Sequence, residues 1–246
     1  MSNITRGHNP TAVTRVRIPP AVEPLLRRIG EAGQALGMPA YAVGGCVRDW
    51  LFGLANTADL DVTVEGSGIA VARSAAEALH GTIEPHEQFG TATVILPHPL
   101  RRVDFATCRK ETYAEPAAYP KVRPGRLDDD LFRRDFTMNA MAVALEPARF
   151  GRLIDPYQGA RDLRGRRLRI LHARSFLDDP SRILRGIRFA QRFGLRWELS
   201  TRQALREAMA AGALGWLNGG RLRRELTRML DEPDPVACVR QLAELL

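Results

Sequence analysis

Along the first third of the chain the apolar positions alternate between two periods. In "PPAVEPLLRRIGEAGQALG", residues 19–37, leucine and isoleucine recur at helical spacing, with prolines ahead and Gly37 behind, which predicts a short leading helix. "AYAVGG" reads as a buried strand entering a glycine turn, and "CVRDWLFG" as the helix that follows. "DLDVTVEG" alternates and is β-branched, so it predicts a strand, whereas "GIAVARSAAEALHG" is alanine-rich and helical, closed by Gly81. "TATVILP" and "RRVDFATCRK" predict an antiparallel hairpin around a proline-containing turn. Residues 113–130, rich in proline, predict a long loop, of the kind that is commonly functional. "FTMNAMAVAL" returns to order, "GRLIDPYQGARDLRGRRLRIL" predicts a strand and turns, and from Asp179 onward the pattern is helical. The expectation is an α+β architecture: a mixed unit over residues 1–148, then an all-helical unit over 149–246.

Charge sharpens this picture. The 246 residues carry a formal net charge of +8, and of the 36 basic residues only Lys110 and Lys121 are lysine. Arginine's planar fork suits phosphate and stacks on bases, so a polyanionic ligand is one reading; a coding preference for arginine is the other. Three widely spaced cysteines, Cys46, Cys108 and Cys238, form no CxxC pair, so neither a zinc knuckle nor a disulfide framework is indicated. No apolar run approaches the roughly 18 residues of a membrane span and the N-terminus has no apolar signal region, so the expected place is the cytoplasm, away from membranes.

Three short stretches can carry chemistry. On a strand Asp59 and Asp61 project from one face, and two adjacent carboxylates stay ionised only with a cation between them. Magnesium fits that pair, because it takes carboxylate oxygens and leaves positions open for phosphates; a solvated strand face is the alternative. Gly44 and Gly45 precede a helix, where a backbone without Cβ atoms can approach a triphosphate, and Arg48 adds a charged fork while Asp49 buttresses the turn. Asp104, between Val103 and Phe105, offers a third acid on the face where a neighbouring strand would carry Asp59 and Asp61, unless it is an exposed edge residue.

Four motifs in order, "VGGCVRDWLFG…DLDVTVEG", "DLFRRDFTMNAMAV", "IDPYQGARDLRGRRLRIL" and "LDDPSRILRGIRFAQRFG", make residues from about 22 to about 230 resemble the class II nucleotidyltransferases. That family comprises bacterial tRNA CCA-adding and A-adding enzymes and bacterial poly(A) polymerases. The resemblance implies a polymerase-β-like head with an antiparallel sheet and a helical neck. It implies two magnesium ions on Asp59 and Asp61, a triphosphate cradled by Gly44, Gly45 and Arg48, and phosphate and ribose contacts from Arg134 and Asp135, with Asn139 in the same motif. Asp179 and Arg182 correspond to the family's protein template. A carboxylate accepts from an exocyclic amino group while a guanidinium donates to the adjacent ring nitrogen, an edge that cytosine and adenine share and uracil and guanine lack.

Arg182, Arg185 and Arg188 recur every three residues and are expected along one broad face toward the nucleotide. Arg221 and Glu225 stand four apart on a later neck helix and predict an internal strut. Where the family has Glu-Asp, this chain has Asp178-Asp179, and the family's helical body and tail domains are not expected within 246 residues. By the resemblance, the full-length loop at 113–130 implies adenine addition, alone or after cytosine. The expected activity is template-independent transfer of AMP, with CMP as a further candidate, from ATP or CTP to an RNA 3′ end, that of tRNA, with pyrophosphate released. A poly(A) polymerase and a catalytically idle RNA- or nucleotide-binding module are the rival readings.

Overall fold

The computed structural model describes residues 15–55, 59–97 and 100–245, apart from the side chains of Asp59 and Leu100. A seven-stranded sheet forms its frame. The order is β3 (Thr82–His86), β4 (Thr91–Pro97), β5 (Leu100–Thr107), β2 (Asp59–Val64), β1 (Ala40–Val43), β8 (Ala142–Ala144), β9 (Leu153–Ile154). Every pairing is antiparallel except β2 with β5, whose parallel register sets Leu60 beside Val103 and Asp61 beside Asp104.

The two faces of this sheet serve different purposes. Ala40, Ala42, Leu60, Val62, Val64, Val103 and Phe105 point to one side, where α1 (Glu23–Ala35), α2 (Gly45–Leu51) and α3 (Gly68–Ala78) cover them. Leu26 of α1 and Val71 of α3 are fully buried there, and removing such a side chain from water contributes about 1.5–3 kcal/mol. On the opposite face Tyr41, Val43, Ala142 and Ala144 pack under Leu127 and Leu131 of α4 (Leu127–Phe132). That cover stops at β1, so Asp61 and Thr63 of β2, Asp104 of β5 and Thr91 and Thr93 of β4 form the floor of a cleft.

A second core belongs to the C-terminal helices: α6 (Ser175–Asp178), α7 (Ser181–Phe193), α8 (Leu199–Ala210), α9 (Gly219–Leu230) and α10 (Pro235–Ala243). Phe136 and Met138 enter it from the other unit. Phe136 sits edge-on to Phe189 and Trp197, with ring centroids 6.0 and 6.4 Å away. Gly186 of α7 makes that approach feasible, because a Cβ there would lie 2.3 Å from the Trp197 ring and 2.9 Å from Phe136.

Several expectations change. Residues 113–130 are not one loop: β7 (Lys121–Pro124) pairs with β6 (Arg109–Thr112) and α4 begins at Leu127, which leaves 113–120 irregular. The expected strand from Arg101 to Lys110 breaks at Cys108, whose N–H turns to Val64 O. The stretch after β9 contains a helix, α5 (Gly159–Arg164), and the helical unit holds a parallel two-residue pair, β10 (Arg167–Leu168) with β11 (Arg196–Trp197). The sheet also runs past 148, because β9 pairs with β8. Cys46, Cys108 and Cys238 are buried free thiols, and burial pushes those of Cys46 and Cys108 up to about 12. Among the described residues no helix is long and apolar enough to cross a membrane.

Candidate active site

The cleft, about 830 Å³, is floored by the sheet, walled by the glycine turn and the segment around Arg134, and roofed by the first turns of α7 and α9. Its acids come from the strand register. Asp61 and Asp104 are direct neighbours across the parallel pair, and Leu60 and Val103 pin the strands by burying the alternate positions. The Asp104 carboxylate accepts from Thr93 Oγ1 at 2.6 Å and from Arg102 Nε at 3.1 Å. Asp59 starts β2 two residues before Asp61; its side chain lies outside the described residues. Among the described residues no three His, Cys, Asp or Glu side chains group as a metal site. The donors brought to the floor are hard carboxylate oxygens, which match magnesium and not a soft metal.

The glycine turn stands beside these acids. Gly44 has φ 74°, in the left-handed region, and a Cβ on it would fall 2.8 Å from Arg134 NH1 and 3.9 Å from Asp61 Oδ2. Only glycine lets Arg134, the turn and Asp61 meet there. Gly45 opens α2 without such crowding. Arg134 donates to Asp130 Oδ2 at 2.9 Å, while its buried Nε has no partner among the described residues. Asp130 is fully buried; burial alone would raise its pKa, but Arg134 and Arg133 outweigh this and hold it below the usual carboxylate value.

A series of polar contacts joins the turn to α7. Arg48, 7% exposed, donates Nε to Asp49 Oδ1 and NH1 to Asn139 Oδ1, both at 2.9 Å. Its guanidinium lies 4.6 Å from the centre of the Phe193 ring. Asn139 Nδ2 donates to Asp135 Oδ1 at 2.9 Å, and Arg185 donates Nε and NH2 to Asp135 Oδ2 at 2.8 and 2.6 Å. Burial works to raise the Asp135 pKa, yet Arg185 and Asn139 carry it below the ordinary value. Arg48, Arg134, Asp135, Asn139 and Arg185 thus all line the cleft while bracing one another.

At the roof, Asp179 Oδ1 accepts from Ser181 N at 3.1 Å and Ser181 Oγ at 2.6 Å. Arg182 donates NH1 to Ser175 Oγ and NH2 to Arg133 O, each at 2.7 Å, and lines the cleft beside Asp179. Arg188 does not join them. Three residues advance a helix by less than a full turn, so the spiral carries Arg188 out of the cleft lining and between Glu225 and Glu232. The expected Arg221–Glu225 strut is also replaced: Glu225 pairs with Arg188 and Arg228, and Arg221 turns into the cleft to bond Asp179. Asp178 lies outside it, near Arg174 and His172. Sequence reasoning also missed Tyr119, Arg102 and Arg224 as cleft-lining residues; no local period marks them, and Tyr119 is tied to Asn218, 99 positions away.

Residues 40–169 match the model of the Poly A polymerase head domain. An A-adding tRNA nucleotidyltransferase of Halalkalibacterium halodurans is 41% identical over 228 residues, which cover 52% of that protein and 90% of this one. Another, of Geobacter sulfurreducens, is 42% identical over 221 residues, which cover 25% of its length and 90% of the length here. A solved structure of a CCA-adding enzyme, apo form II, superposes with a TM-score of 0.88 at 42% identity, the match covering 54% of that protein and 93% of this one. This chain therefore spans about half the length of the first relative and a quarter of the second. With the paired acids, the glycine turn and the roof in place, the chain belongs to the Poly A polymerase head-domain family.

Proposed function

We propose that this chain carries the catalytic part of an enzyme that transfers AMP, and CMP as a second substrate, from the triphosphate to the 3′ end of tRNA. The observation that carries the reading is the pairing of Asp61 with Asp104 on a cleft floor bounded by Gly44 and roofed by Asp179 and Arg182. Relatives named A-adding tRNA nucleotidyltransferase, and a Thermotoga maritima CCA-adding enzyme solved with tRNA, support the substrate class. Asp59, Asp61 and Asp104 would hold magnesium, which when bound supplies charge neutralisation of the triphosphate and a more acidic 3′ hydroxyl. The other residues bind and orient. Gly44 admits the triphosphate close to the backbone, and Arg134, whose guanidinium lies against that turn and lines the cleft, faces the place where negative charge would sit. Arg182 spends two N–H groups on Ser175 and Arg133 and retains others for a ring nitrogen. Asp179 takes the exocyclic amino group, so adenine and cytosine fit and guanine and uracil do not. The 3′ hydroxyl then displaces pyrophosphate in line, without a covalent enzyme intermediate.

The test is incorporation of each labelled nucleoside triphosphate onto tRNA transcripts ending before CCA, after C and after CC. AMP added only after CC identifies an A-adding activity, and three ordered additions identify a CCA-adding one. AMP added equally to an oligo(A) primer would overturn the tRNA assignment, and no incorporation with ATP still bound would overturn the catalytic one.

A further inference from the structure

We infer that Arg221 is a positioning residue for base selection: it fixes the Asp179 carboxylate so that one oxygen is left to read the nucleotide's amino group. The inference rests on the reading of Asp179 as the base-facing carboxylate, and it assigns a role to a residue outside the template pair.

The hydrogen bonds at Asp179 are one-sided. Oδ1 accepts from Ser181 N, from Ser181 Oγ and from Arg221 NH2, whereas no bond to Oδ2 is made among the described residues. Oδ2 is not a buried orphan either, and Asp179 lines the cleft. A carboxylate has about four lone-pair positions, so three donors converging on one oxygen lock the rotamer and direct the other oxygen outward. The donor contributing charge is Arg221, so its bond to Oδ1 is charge-assisted and holds the carboxylate more firmly than the two neutral donors do. Arg221 is itself held. Its backbone N–H is capped by Asn218 Oδ1 at 2.9 Å at the start of α9, and its guanidinium lies 5.9 Å from the Tyr119 ring, whose hydroxyl accepts from Asn218 Nδ2 at 3.2 Å. Arg221 and Asp179 are 20% and 21% exposed, enclosed enough for a charge-assisted bond to hold its geometry and open enough for a base to arrive.

The experiment is calorimetric binding, with magnesium, of ATP and of purine riboside triphosphate, which is ATP without the amino group of its base. The unaltered protein should favour ATP by about tenfold, the range for a hydrogen bond to a charged group. Arg221→Met should bring that ratio close to one, Arg221→Lys should restore part of it, and Ser181→Ala, which removes only the hydroxyl donor, should fall between. Equal weakening of both ligands by Arg221→Met, an unchanged ratio, or no preference in the unaltered protein would overturn the inference. Circular dichroism of each variant separates loss of the ratio from loss of fold. A ratio that collapses as expected in a protein that transfers no AMP to RNA would sustain the role of Arg221 and overturn the proposed reaction instead.

Discussion

Asp135 shows how a residue named for one contact is committed to several. Both its oxygens are bonded, one to Asn139 and the Phe136 N–H, the other to Arg185 on α7. Asp135→Asn removes the charge and leaves Arg185 facing a neutral amide. The expected loss is about 2–3 kcal/mol at neutral pH, below the range for fully buried pairs because Arg185 is 32% exposed. The sign of its pH dependence follows from the lowered native pKa: the stabilisation is complete above the ordinary value of 3.8 and is lost as pH falls below it toward the native value. Urea denaturation of both proteins should therefore show a gap near pH 7 that narrows below about pH 4. A gap constant across that window would contradict the ionised pair. None of this was legible locally. The sequence places Asp135 next to Arg134, but its partner Arg185 is fifty positions away and only the packing of α7 brings it in.

Among the elements, the longer ones with a buried face were legible, whereas very short helices such as α4 and α5 and the solvent-facing strands were not. β2 alternates Leu60, Val62 and Val64 against Asp59, Asp61 and Thr63, so its type and its polar face were both legible. β3 and β7 lie mostly in solvent, and β3 even contains Pro85, so neither bears an alternating pattern. α5 is six residues long, too short for a helical period to repeat. The joint between the units depends on one small residue of α7. Gly186→Val should cost at least about 2 kcal/mol, because the added atoms would meet the Trp197 and Phe136 rings and force the helix outward. The same change at Gly215, where a Cβ would meet nothing, is the control. Equal thermal midpoints for the two variants would contradict the close packing of α7 on Phe136.

At the scale of the molecule, two cores share one cleft, and the residues between them, Arg48, Asn139, Asp135 and Arg185, form a continuous polar seam. The sheet presents the acids and the helices present Asp179 and Arg182, the pair proposed to read the base, so neither unit alone lines the cleft. The order of motifs along the sequence made that division legible; the swing of Arg221 toward Asp179 and of Arg188 away from the cleft came only with the helix packing. The central claim is that the paired carboxylates on the sheet drive nucleotide transfer onto RNA. It is tested most directly by labelled AMP incorporation onto a tRNA transcript ending in CC, comparing the unaltered protein with Asp61→Ala at equal ATP occupancy. The account predicts transfer by the former and a loss of at least about a thousandfold in the latter, with the fold and thermal midpoint kept. Undiminished transfer by Asp61→Ala would contradict it.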